Sequence, residues 1–306
     1  MNIAFFGTSD RSAPILDALK NSNFDIVLCV TREDLPVGRK QELKPTGVKV
    51  WAEANRVQCL TIDSLRDETT VRIKNLISEK NVQLCLVVDF SFIIPEELLG
   101  IPEYKFVNVH FSLLPRYRGA SPVQFAILNG DGKTGITYQL VSKEMDKGDV
   151  IFQSEYEVSG NETAGELNKV LFEKAAGEIS EALEGYVGGE LVPQKQNEAE
   201  AVYTYSPSHP KKTIVFKEDA RIDWSKSPTE IDLVVRAFNP WPVAWTTLGE
   251  IHKHYRAIKS DKKLDLKVKI FEMDVSGTNF KIEKLQVEGK PTTNWKEFEN
   301  GYADSN

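Results

Sequence analysis

Apolar and polar positions follow two different rhythms along this chain. Over residues 1–190, short apolar runs alternate with stretches of helical period. Asn2–Phe6 predicts a strand, the turn Gly7-Thr8-Ser9-Asp10 follows, and Ile15, Leu16 and Leu19 mark one face of a helix. Phe24–Val30 predicts a second strand, and Leu84–Val88 and Phe106–His110 predict two more, apolar and β-branched as in strands buried on both faces. Thr163 with Glu166 reads as a capping box. The helix it opens carries Leu167, Val170, Leu171, Ile179 and Leu183 on one face, and Gly188-Gly189 stops it. Strands alternating with helices predict a parallel, doubly wound sheet.

The rhythm then changes. Glu190–Pro210 is polar, aperiodic and interrupted by Pro193, Pro207 and Pro210, as a linker would be. Beyond it, Thr213–Phe216, Leu266–Phe271 and Phe280–Leu285 are short alternating runs separated by Gly, Asp and Asn, with one helical stretch over about Pro228–Phe238. Such spacing predicts a small β-barrel or sandwich. The expected organisation is a first domain over residues 1–188, a linker over 189–207 and a second domain over 208–306.

Composition narrows the class. A hydrophobic content of 41% with 27% charged residues excludes a disordered chain. The longest apolar runs fall far short of the ~20 residues that span a bilayer. No basic region or small-residue cleavage site marks the N-terminus, so a cytoplasmic protein with no membrane partner is expected. Cys29, Cys59 and Cys85 are odd in number, widely spaced and set among apolar residues, which predicts three buried, reduced thiols. No metal is expected, because no His, Cys or carboxylate spacing supports one.

The net charge of −7 argues at first against a nucleic-acid partner, but the charge is unevenly spread. Residues 1–206 hold 21 basic against 30 acidic side chains, and residues 207–306 hold 17 against 15. Seven of the basic residues fall within Lys253–Lys269, either a solvated face or a phosphate-contacting surface.

The first βα turn, Gly7-Thr8-Ser9-Asp10-Arg11-Ser12, lacks the second and third glycines of a dinucleotide fingerprint. The segment that points to chemistry is Phe106–Pro122. Asn108 and His110 share one face of a strand by their period of two, and a Pro/Gly-rich loop follows directly. Open α/β sheets place their ligands at such strand ends. Met145-Asp146-Lys147-Gly148-Asp149 offers carboxylates in a turn, although spacing alone does not bring either beside His110.

These segments carry a resemblance. Asn108-Val109-His110, Ser112-Leu113-Leu114-Pro115-Arg116-Tyr117-Arg118-Gly119-Ala120 and Asp146-Lys147-Gly148-Asp149 resemble the 10-formyltetrahydrofolate-dependent formyltransferase superfamily. Phe6-Gly7-Thr8, Leu35–Lys40, Asn129-Gly130-Asp131 through Thr134-Gly135-Ile136-Thr137, Lys217–Trp224, Arg236–Pro242 and Leu285–Lys290 extend the match over essentially the whole chain, toward members acting on charged initiator tRNA.

The resemblance implies a Rossmann-like domain followed by an OB-like β-barrel, and formyl transfer from 10-formyltetrahydrofolate to the α-amine of methionyl initiator tRNA by a monomer. By resemblance, Asn108 donates its amide N–H, His110 bonds the formyl oxygen, and Asp146 orients His110 and carries protons away from the amine. Ser112, Leu113, Leu114 and Pro115 match the folate-binding loop, with Val88, Phe90 and Ile93 lining the pterin pocket. Arg39 and Lys40 match a loop that reaches the acceptor end of the tRNA. Asp89-Phe90-Ser91-Phe92 departs from the small residue, Tyr-Gly pattern of the family, and Val243 stands where Gly is usual.

Overall fold

The computed structural model describes residues 1–37, 41–255, 263–276 and 279–302. The chain forms two compact units. One holds Met1–Arg118, Thr134–Tyr156 and Asn168–Val202; the other holds Gly119–Lys133, Glu157–Leu167 and Tyr203–Asn306.

The first unit begins β1 (Asn2–Gly7), α1 (Ala13–Lys20), β2 (Asp25–Arg32), β3 (Leu35–Val37), β4 (Glu42–Lys44), α2 (Gly47–Asn55) and β5 (Cys59–Ile62). It continues through α3 (Asp67–Glu79), β6 (Leu84–Val88), α4 (Glu96–Leu99) and β7 (Phe106–His110). The chain then forms α5 (Pro122–Leu128), in the second unit, followed by β8 (Lys133–Leu140), β9 (Val150–Glu157) and α6 (Ala164–Val187).

Seven strands make one sheet in the order β5-β2-β1-β6-β7-β8-β9. The first five pair parallel. β8 runs antiparallel to β7, so the sheet is mostly parallel rather than wholly so. Strand order reverses between β1 and β6, which creates a switch point at their carboxyl ends. Ala4, Phe6, Leu28, Val30, Cys85, Val87 and Phe106 are buried in the core beside Ile73 and Ile77 of α3. Each buried Val, Leu, Ile or Phe among them contributes about 1.5–3 kcal/mol.

The box that opens α6 forms as its sequence implies: the Thr163 N–H and Oγ1 both donate to Glu166 Oε2, and the Glu166 N–H donates to Thr163 Oγ1. Cys29 and Cys85 are buried, whereas Cys59 is only half-buried, because β5 is the edge strand. Burial still pushes the Cys59 thiol up to about 11.

The second unit adds α7 (Pro228–Ala237), β10 (Trp245–Thr247), α8 (Leu248–Tyr255), β11 (Lys267–Ser276), β12 (Asn279–Val287), β13 (Thr293–Asn294) and α9 (Trp295–Tyr302). Its antiparallel sheet runs β10-β11-β12-β13 and, among the described residues, is open. The barrel expected from the sequence does not close among the described residues. Its outer strands are only three and two residues long. Helices complete the core instead: Ile231, Val235, Leu248, Ile251, Trp295 and Phe298 pack with Val268, Ile270, Ile282 and Leu285. Thr213–Phe216 is not a strand either. Side chains take its amides, Val215 N–H donating to Ser121 Oγ and Phe216 N–H to Asp219 Oδ2.

Candidate active site

β7 ends at the carboxyl edge of the parallel strands, with Asn108 half-buried and His110 buried. In register, Asn108 lies opposite Gln139 and His110 opposite Thr137 on β8. Directly opposed residues share a sheet face, so four polar side chains line one side of this strand pair.

The turn after β8 brings in the carboxylate. Asp146 adopts φ 54°, in the left-handed region. Gly148 follows where a Cβ would lie 1.6 Å from the Leu140 carbonyl oxygen, so only glycine fits against the strand. Asp146 Oδ1 accepts a hydrogen bond from Gln139 Nε2 at 2.9 Å and sits 3.6 Å from His110 Nδ1. His110 and Asp146, 36 positions apart in the chain, are thus brought together, and Gln139, the cross-strand partner of Asn108, holds the carboxylate.

His110 Nε2 lies 3.0 Å from the Tyr117 carbonyl oxygen. A carbonyl only accepts, so Nε2 carries a proton and Nδ1 faces Asp146. At 3.6 Å the Nδ1–carboxylate contact is too long for a hydrogen bond and becomes an ion pair only when the ring is protonated.

The loop after β7 is held from behind. Ser112 is buried and its Oγ donates to the Arg116 carbonyl at 2.6 Å. Thr137 Oγ1 donates to the Ser112 carbonyl at 2.6 Å and accepts from the Leu114 N–H at 3.1 Å. Gln153 Nε2 donates to both the Leu114 carbonyl and Thr137 Oγ1 at 2.8 Å. Leu114 is buried, Leu113 lies against Gly135, and the Pro115 carbonyl accepts from the Val202 N–H.

The apolar residues after β6 divide. Val88 is fully buried beside Gly7 and Val109. Phe90 packs edge-on against Phe6 at 5.6 Å and against Phe92 at 5.4 Å. Ile93 stands 75% exposed. Arg39 and Lys40 lie outside the described residues, as do Arg256, Lys259 and Lys262 of the basic cluster.

Sequence reasoning gave no role to Thr137, Gln139, Gln153 or Gln196. The first two carried a usable signal: polar residues two apart, alternating with Ile136, Tyr138 and Leu140, as Asn108 and His110 alternate with Val107, Val109 and Phe111. Gln196 gave none, since it stands in the aperiodic stretch after α6.

Residues 1–183 match the family described as Formyl transferase, and residues 214–303 match the C-terminal domain of formyl transferases. The chain belongs to the formyl transferase family. The methionyl-tRNA formyltransferase of Bacillus mycoides (strain KBAB4) is 36% identical over 311 residues, covering 98% of this chain and 96% of that protein. Two solved structures share the fold at 19% identity. The methionyl-tRNA formyltransferase from Clostridium thermocellum covers 94% of this chain and 98% of its own, with a TM-score of 0.58. The N-formyltransferase from Helicobacter canadensis, in complex with folinic acid and dTDP-3-aminofucose, covers 92% and 94% with a TM-score of 0.60. Among the described residues of this formyl transferase, no helix is long and apolar enough to cross a membrane, and no three His, Cys, Asp or Glu side chains form a metal-binding group.

Proposed function

We propose that this formyl transferase moves the formyl group of 10-formyltetrahydrofolate to the α-amine of methionyl initiator tRNA. The observation that carries the reading is the approach of Asp146 to His110 at the exit of β7, with Asn108 on the same strand face. Identity of 36% along nearly the whole chain to a methionyl-tRNA formyltransferase supports the acceptor. The residues present fit a folate donor: Val88 pairs in register with Val109, which lies between Asn108 and His110, so an apolar strand end adjoins the amide and the imidazole.

The donor supplies an activated one-carbon acyl group. Attack by the amine puts negative charge on the formyl oxygen, and donors aimed at that oxygen lower the barrier. Asn108 Nδ2–H and the His110 imidazole fill that role. Asp146 takes the proton that the amine sheds and passes it toward N10 as the carbon–N10 bond breaks. Ser112, Leu113, Leu114 and Pro115 hold the folate through their loop, with Val88, Phe90 and Ile93 at the pterin. Arg39 and Lys40 contact tRNA phosphates, which position the acceptor without reading sequence.

In this reading a catalytic domain over residues 1–188 is joined through residues 189–207 to a tRNA-facing domain over 208–306, in a monomeric cytoplasmic enzyme. The test is to offer 10-formyltetrahydrofolate with methionyl initiator tRNA, unacylated tRNA or a nucleotide-linked amino sugar, and to follow folate release. Release with the charged tRNA alone is expected. Release with the amino sugar alone overturns the acceptor, and no release with any of them overturns the transferase reading. Arg39→Glu should raise KM for tRNA and leave folate binding intact; an unchanged KM removes Arg39 from the interface.

A further inference from the structure

Gln196 lies directly behind the turn that presents Asp146. Its Nε2 donates to the carbonyl oxygens of Asp146 and Gly148, each at 2.8 Å. Its Oε1 accepts from Nε and Nη2 of Arg118 at 3.0 and 2.7 Å. Arg118 is fully buried, and its guanidinium also forks onto Glu198 at 3.0 and 2.7 Å. That hydrogen bond holds the Glu198 carboxyl below its ordinary value.

A guanidinium offers only donors, so the carboxamide oxygen of Gln196 must face it and the amide hydrogens must face the turn. Asp146 sits in a left-handed conformation that a non-glycine residue keeps only where its surroundings enforce it. Two glutamines do so from opposite ends, Gln196 on the backbone and Gln139 on the carboxylate.

We propose that Gln196 is a positioning residue for the reaction, clamping the backbone of residues 146–148 so that the Asp146 carboxylate stays opposite His110. Arg118 sets the orientation of the clamp. The proposal rests on the reading of Asp146 as the carboxylate that manages the amine proton. A misplacement of about 1 Å in a reacting constellation costs on the order of 10²-fold in rate.

Two substitutions in the full-length enzyme separate clamp from scaffold. Gln196→Glu still accepts from Arg118 but has no hydrogen for the two carbonyls. Gln196→Met keeps the length and makes neither bond. Both are expected to lower kcat with methionyl initiator tRNA by about 10–100-fold. KM for folate and for tRNA should stay within about threefold, because the Gln196 carboxamide is engaged by the Asp146 and Gly148 carbonyls and by Arg118. Gln196→Glu should melt close to the wild type.

A clamp that acts through Asp146 has nothing left to hold once the carboxylate is gone. In single-turnover assays, Gln196→Glu should therefore cost nothing further in an Asp146→Asn background. The proposal is overturned by a Gln196→Glu enzyme with wild-type kcat, by a loss confined to KM, by failure of that variant to fold, or by an equal loss in both backgrounds. Wild-type turnover by Asp146→Asn alone defeats the reading of Asp146 itself, an outcome distinct from a silent Gln196→Glu.

Discussion

The Tyr117 carbonyl, 3.0 Å from His110 Nε2, decides which ring nitrogen is available. Because Nε2–H is already donated, Nδ1 is the ring nitrogen left to face Asp146. Asn108 beside it is half-buried, and removing its carboxamide deletes a donor without opening the core. Asn108→Ala is expected to lower the transfer rate by about 10²–10³-fold while the melting temperature stays near the wild-type value. Single-turnover rates and thermal melts check this together; near-wild-type formylation would reject Asn108 as a donor. A second residue stands out for strain. Val243 is buried at φ 71°, a region that β-branched residues avoid. Deleting a buried valine side chain costs about 2 kcal/mol, and relief of the backbone returns about 1–3 kcal/mol. Val243→Gly is thus expected to leave stability within about 1 kcal/mol of wild type. Val235→Gly, at a buried helix position, should lose clearly more in the same denaturant titration.

Helix α6 shows how a local signal survives into the fold. Thr163 and Glu166 satisfy each other across the first turn, as their spacing implied. Thr163→Ala should cost about 1 kcal/mol in denaturant unfolding. The hydrogen bonds from Thr163 depress the Glu166 carboxyl in the folded state. Its contribution is therefore complete above the unfolded carboxyl value of about 4.3 and fades as pH falls through the lower folded value. Wild-type and Glu166→Gln proteins should differ in melting temperature at pH 7, and the gap should close on acidification below about pH 4. A gap unchanged across that range would remove the carboxylate from the cap. Where the sequence reading failed, a non-local partner intervened. Thr213–Phe216 alternates like a strand, yet Ser121 and Asp219 claim its amides and no ladder forms. The second sheet stays open because α7, α8 and α9 supply the core that barrel closure would otherwise bury.

Across the whole molecule, charge divides the chain into an acidic first two-thirds and a slightly basic remainder. If the acceptor is held through its phosphates, raising salt from about 50 to 200 mM should raise KM for tRNA by tenfold or more and KM for folate far less. A salt-insensitive KM for tRNA would rule out phosphate contacts as the main source of its affinity. The sequence alone determined the central strands β6 and β7, the start and stop of α6, and the presence of Asn108 and His110 on one strand face. Each of these depends on neighbours within a few positions, through a periodicity of 2 or 3.6 or through a cap. Only the tertiary structure brought Asp146 to His110, set Gln139 between Asp146 and Asn108, and swung Gln196 back onto the turn from beyond a 24-residue helix. Those contacts join residues far apart in the chain, and no local pattern encodes a meeting that strand order and loop closure alone impose.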